Sequence, residues 1–115
     1  VSVPVITSSS ISRTEAKTSS ITTGTNTIDS IYLTDHRSAE YLVSIKDNSA
    51  NGYQVSKLLV IHDGTSGYIT EYGSLTTNTS LATFDVSSNS TVVMVRAIST
   101  ISNGTIKFSK TMIVV

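Results

Sequence analysis

Residues 53–75 constrain the fold more than any other stretch of this chain. They read Tyr-Gln-Val-Ser-Lys-Leu-Leu-Val-Ile-His-Asp-Gly-Thr-Ser-Gly-Tyr-Ile-Thr-Glu-Tyr-Gly-Ser-Leu. Leu58-Leu59-Val60-Ile61 is a dense apolar run, and Asp63-Gly64 directly behind it is turn chemistry. A second run carrying Tyr68 and Tyr72 follows, so the stretch reads as a β-hairpin. The first run is apolar on both faces. That pattern predicts a central strand covered on both sides.

The rest of the chain repeats this grammar. Glu40–Lys46 alternates, with Tyr41, Val43 and Ile45 on one face and Leu42, Ser44 and Lys46 on the other. Asp47-Asn48-Ser49-Ala50-Asn51-Gly52 is the clearest turn, because Asn-Gly favours positive φ. Thr18–Thr23, Thr27–Leu33, Leu81–Val86, Thr91–Ile98 and Thr105–Val115 read as further strands. In the last, Ile106, Phe108, Met112 and Val114 share a face. No long segment places apolar residues at helical spacing; only Ser12–Ser19 is short and mixed enough for a helix. The expected fold is all-β: an antiparallel β-sandwich of about eight short strands, a jelly roll being one such arrangement. Strand order does not follow from the pattern.

Composition agrees. Ser and Thr make up about a third of the chain, so the wet faces of the strands carry hydroxyls rather than charges. Only 14% of residues are charged and the formal net charge is zero. Nucleic-acid binding through a basic patch is therefore not expected, and no apolar run is long enough for a membrane span. No signal-peptide pattern opens the chain. Cysteine is absent, which removes a disulfide framework and a thiolate nucleophile. A small neutral chain without cysteine fits a reducing cytosol or a subunit held by its neighbours.

Two regions divide the 115 residues. Residues 1–17 form an N-terminal arm or edge strand, and residues 18–115 a single β-sandwich domain. Val3, Val5 and Ile6 give the arm an apolar side that suits a neighbouring subunit, and Pro4 keeps it at an edge.

His62, Asp63 and Glu71 flank one turn and are the only grouping that resembles a metal or acid–base site. Across a hairpin they need not face one another. The expectation is a turn in which Asp63 bonds backbone amides and His62 is solvated, with His36 and Arg37 in a surface loop. No nucleophile elbow, P-loop or EF-hand spacing occurs. The chain is expected to be no enzyme and to have no catalytic residue, cofactor or metal ligand. Tyr41, Tyr53, Tyr68 and Tyr72 fall on three neighbouring strands and offer flat amphipathic area for a protein or sugar partner.

The segment Ser38-Ala39-Glu40-Tyr41-Leu42-Val43-Ser44-Ile45 and the hairpin that follows resemble a recurring β-rich domain of tailed-bacteriophage virion proteins, particularly those of marine and cyanobacterial phages. The shared features are Tyr53-Gln54-Val55, Leu58-Leu59-Val60, His62-Asp63-Gly64-Thr65 and Glu71-Tyr72-Gly73. Leu81-Ala82-Thr83-Phe84 and Thr105-Ile106-Lys107-Phe108 extend the likeness, with Lys110 where the family carries arginine. It covers about residues 28–113. The resemblance implies a non-enzymatic structural protein of the virion, assembled in the host cytoplasm. A capsid decoration (cement) protein that binds the major capsid protein and its own copies as a homo-oligomer is the leading expectation. The alternatives are a small tail, neck or fibre subunit that binds tail proteins, or a receptor- or carbohydrate-binding module using the 47–52 and 63–67 turns.

Overall fold

The computed structural model describes residues 5–8 and 12–115. Among these, nine strands form: β1 (Val5–Ser8), β2 (Ser12–Ile21), β3 (Gly24–Tyr32), β4 (His36–Asp47), β5 (Gly52–His62), β6 (Gly67–Thr76), β7 (Ala82–Ser88), β8 (Val92–Ser99) and β9 (Gly104–Val114). They build an antiparallel β-sandwich of unequal layers. One sheet has six strands in the order β1-β2-β9-β4-β5-β6; the other has three, β3-β8-β7. This is not the even split of a jelly roll, and most strands are long rather than short. Ser12–Ser19, the one helix candidate, is strand: β2 pairs with β9 from Ser12↔Ile113 to Ile21↔Gly104. Strand β2 also runs unbroken through residue 17, and β1 pairs with it as an edge strand. Val3 lies outside the described residues.

The core is the seam between the sheets. Tyr41, Val43 and Ile45 of β4, Leu58 and Val60 of β5 and Ile106, Phe108 and Met112 of β9 face Ile28, Ile31, Val93, Val95 and Ala97 of the small sheet. All are nearly inaccessible, and each large aliphatic side chain contributes about 1.5–3 kcal/mol by leaving water. Tyr41 and Phe108 meet edge to face, 5.5 Å between centroids. The alternation expected for β4 is present as read.

A bulge tunes the seam. In β3 the register shifts between Thr27 and Asp29. The shift leaves Ile28 unpaired and lets Ile28 and its neighbour Asp29 both turn inward, which a regular strand forbids. Asp29 Oδ2 then accepts from Lys110 Nζ at 2.6 Å and from Tyr41 Oη at 2.7 Å, joining the two sheets. Lys110 stands in the apolar row of β9 between Phe108 and Met112 and is buried. Burial first, then the Asp29 charge, pushes the Tyr41 hydroxyl far above the usual phenol range, so it stays a donor.

Side chains hold the corners where the chain changes sheets. Gly24 takes φ +100°, and Asn26 ties that corner by accepting from Thr22 N and donating to Thr22 O and Gly24 O. Gln54, buried on β5, accepts from Leu81 N and donates to Ala82 O, so the chain entering β7 has its backbone groups satisfied. The 47–52 hairpin is where it was expected, but Gly52 does not adopt positive φ; Gly24 and Gly64 do. At the start of β6, Gly67 lets the large sheet close on Val93: a Cβ there would stand 2.7 Å from Val93 Cγ1.

Three outcomes follow for stability. Asp29→Ala strands a buried lysine and is expected to cost about 3–5 kcal/mol in urea unfolding, most of it regained when Lys110→Met is added. Gly67→Ala is expected to cost about 1–3 kcal/mol by overpacking. Gly73→Ala, whose Cβ would meet only Lys57 Cβ at 3.9 Å, should be near neutral in the same assay.

Candidate functional site

The turn that carries His62 and Asp63 is structural. His62 closes β5 and is buried, not solvated. Gly64 N–H donates to its Nδ1 at 3.0 Å, so the ring takes the tautomer that donates from Nε2 to His36 O, 2.5 Å away. Arg37 Nη1 donates to His62 O at 3.2 Å, so His36 and Arg37 belong to the head of β4 and not to a surface loop. Asp63 is fully exposed and accepts from Ser66 N at 2.8 Å and Thr65 N at 2.9 Å. Glu71 lies along β6 opposite Leu58, while His62 lies opposite Gly67. Four residues of strand, about 13 Å, separate them. His62, Asp63 and Glu71 do not converge. Among the described residues no group of three or more His, Cys, Asp or Glu side chains is placed to hold a metal ion.

Ladder register instead points to the outer face of the six-stranded sheet. Directly opposed residues share a face, so Ile113, Ser38, Ile61 and Tyr68 form one row across β9, β4, β5 and β6. Thr111, Glu40, Leu59 and Thr70 form the next, with Leu42 and Lys57 opposed beyond them. Among the described residues no second layer covers this face. Leu59 is 46% exposed, Ile61 51%, Tyr68 57% and Ile113 43%. They line a shallow groove of about 600 Å³ with Ser38 and Thr70. The strand read as covered on both sides thus has Leu58 and Val60 in the core and Leu59 and Ile61 in water.

The few charged groups beside the groove are tied to one another. Tyr72 Oη donates to Glu40 Oε2, and Lys57 Nζ sits 5.8 Å from the centre of the Tyr72 ring. The bond to Glu40 raises the Tyr72 hydroxyl above its ordinary range.

The opposite end of the same face has other chemistry. Ser44, Lys46, Asn48, Tyr53, Thr105 and Lys107 enclose a cleft of about 360 Å³. Lys46 stands opposite both Thr105 and Tyr53, and Lys107 opposite Ser44. Asn48 Nδ2 donates to Thr105 Oγ1 at 2.9 Å, and Tyr53 Oη to Asn51 Oδ1 at 3.2 Å.

The four tyrosines read as a partner patch therefore separate. Tyr41 is wholly buried and offers no surface. Tyr68 and Tyr72 belong to the groove, and Tyr53 to the cleft. Val5 and Ile6 lie on β1 at the sheet edge, opposite Glu15 and Thr14. The 48–51 and 63–66 turns are at opposite ends of β5, ten residue steps or about 33 Å apart, so they cannot build one site. The groove was missed because single-strand patterning does not say which apolar face is covered. The register of exposed lysines could have flagged the cleft only after strand order was known.

No family model matches this chain, and no curated protein matches it. Two solved structures resemble it. The tailspike protein of Acinetobacter phage vB_ApiP_P1 shares its fold, with a TM-score of 0.55 at 18% identity, over 85% of this chain and 22% of that one. The tailspike protein gp49 of Acinetobacter baumannii bacteriophage Fri1, a capsular polysaccharide depolymerase, gives 0.48 at 14% identity, over 96% and 19%. The chain thus spans about a fifth of the length of either tailspike.

The Asp63 turn gives a pH expectation. Amides of Ser66 and Thr65 favour the charged carboxylate and hold its pKa below the usual value. Its stabilisation is then complete above the unfolded value of about 3.9 and fades as pH falls through the lowered folded value. A carbon-detected NMR titration should place the Asp63 midpoint below about 3.9. Asp63→Ala should speed amide exchange at Thr65 and Ser66 at neutral pH.

Proposed function

We propose that this chain is a non-enzymatic structural module of a phage virion, part of or bound to a tail protein, and that the apolar end of the outer face of its large sheet packs against neighbouring subunits. The observation that carries this reading is the groove around Leu59, Ile61, Tyr68 and Ile113. A sheet face with that much apolar surface in water fits an assembly contact better than a free monomer. The fold shared with a segment of a phage tailspike supports the tail as its place. That likeness favours a tail-associated role over capsid decoration on the head, to which nothing in the geometry adds weight. The hairpin motif from Tyr53 to Gly73 supports the same class of particle and adds marine and cyanobacterial phages as its source. Its partners are tail proteins or further copies of the chain. It would be assembled into the virion in the host cytoplasm.

The test is incorporation. Leu59→Lys combined with Ile61→Lys changes two exposed side chains and should leave the thermal midpoint nearly unchanged. It should lower the amount of the chain in purified particles by about tenfold or more, as disruption of a central apolar anchor does. Cross-linking mass spectrometry of intact particles should join Lys57 to a tail protein. Cross-links confined to the major capsid protein would move the chain to the head, and full incorporation of the double variant would remove the groove from assembly.

A further inference from the structure

The cleft at the other end of the outer face has no part in that packing role, and its residues form a different kind of surface. Lys46 and Lys107 are diagonal neighbours on β4 and β9, with side chains about 7–8 Å apart at their bases. Both are exposed. The ion pairs Arg96–Asp85 and Lys110–Asp29 involve neither of these two ammonium groups. Among the described residues no carboxylate lines the cleft. Two like charges on adjacent strands repel, and a bound anion relieves that repulsion. The elsewhere sparing use of charge makes the pair more telling: the chain has 8 basic and 8 acidic residues, and two of the basic ones share one cleft without an acid.

The remaining lining narrows the anion. Tyr53 is 43% exposed, and its hydroxyl is anchored on Asn51, so the ring is a fixed flat platform on the cleft wall. Pyranose rings stack on such a platform through their apolar C–H face, with the polar tip left for hydrogen bonds. Ser44, Thr105 and Asn48 supply short hydroxyl and amide groups of the kind that pair with sugar hydroxyls. A volume of about 360 Å³ suits one or two sugar rings. A nucleic acid fits less well, since among the described residues the site has a single aromatic and no arginine, and the chain is neutral.

We propose that the Lys46–Lys107–Tyr53 cleft binds an acidic saccharide, a sugar ring stacked on Tyr53 with its carboxylate held between the two ammonium groups. This goes beyond the packing role: a module without a ligand still assembles, and a module that fails to assemble still binds.

The probe is tetragalacturonate, titrated into the folded chain and followed by amide chemical shifts. Shifts should cluster at residues 44–48, 53 and 105–107, and saturate with a dissociation constant in the low-millimolar range or below. Lys46→Gln with Lys107→Gln should weaken binding by about tenfold or more, as expected when both ammonium partners of the carboxylate are removed. Tyr53→Ala should do the same while leaving the response to inorganic phosphate unchanged. Both variants change exposed positions, and their unfolding midpoints confirm the fold. Neutral maltotetraose should not shift these amides. Four results would each overturn the proposal: no shifts from tetragalacturonate; equal binding of maltotetraose; equal binding of inorganic phosphate, a simple anion site; or tighter binding of a short single-stranded DNA.

Discussion

Three strands cannot cover six, and most of this molecule's surface character follows from that mismatch. Strands β3, β8 and β7 lie over the centre of the large sheet and bury one face of β4, β5 and β9. The inner face of β6 beyond Ile69 is left in water, as is Lys17 on β2. The outer face of the large sheet has no covering layer among the described residues. A sheet in this position usually presents polar residues outward. Here one end of the outer face keeps Leu59, Ile61, Tyr68 and Ile113, while the end beside the 48–51 turn keeps lysines and hydroxyls. One continuous surface is thereby divided into an apolar region and a cationic one.

Inside the sandwich, polar groups are few and each has a task. The Asp29 carboxylate meets Lys110 and Tyr41 across the seam; Gln54 satisfies the backbone entering β7; His62 joins the end of β5 to the head of β4. Among the described residues no buried side-chain nitrogen or oxygen lacks a partner. Such groups add little net stability when paired but are costly when one partner is removed. They therefore select one way of docking the sheets among the many that apolar contact alone would allow.

The all-β class, the breaks between strands and the alternation of β4 were legible in the sequence, because period-two patterning and turn chemistry are local. What depended on the third dimension was not. Leu58 through Ile61 is apolar throughout whether one neighbour layer exists or two, so the wet side of Leu59 and Ile61 was invisible. Lys110 falls in the apolar row of its strand, and its partner is unreadable until Asp29 is brought over it from 81 positions earlier in the chain. His62 beside Asp-Gly reads as a solvated strand-end residue until Arg37 and the His36 carbonyl arrive from another strand. Ser12–Ser19 has weak preferences of its own, and pairing with β9 decides its state. The site residues were the least legible: Tyr41 already stood in the apolar row of β4, but whether Tyr68 faced core or water depended on sheet order.

The unpaired Ile28 in β3 bears on how the chain reaches its final state. Because the bulge turns two consecutive residues inward, sliding β3 by one position along β8 would not merely swap its faces. It would withdraw Asp29 from Lys110 and present the ammonium to hydrocarbon, while Ile28 would leave its own place beside the core. Near-native misalignments are thus separated from the native one by an electrostatic step rather than by a gradual loosening of packing. The large sheet closes only when β9 enters between β2 and β4, and the small sheet docks without a bare buried charge where Asp29 meets Lys110. The bulge acts as a key cut for a single lock, and folding ends when that key seats.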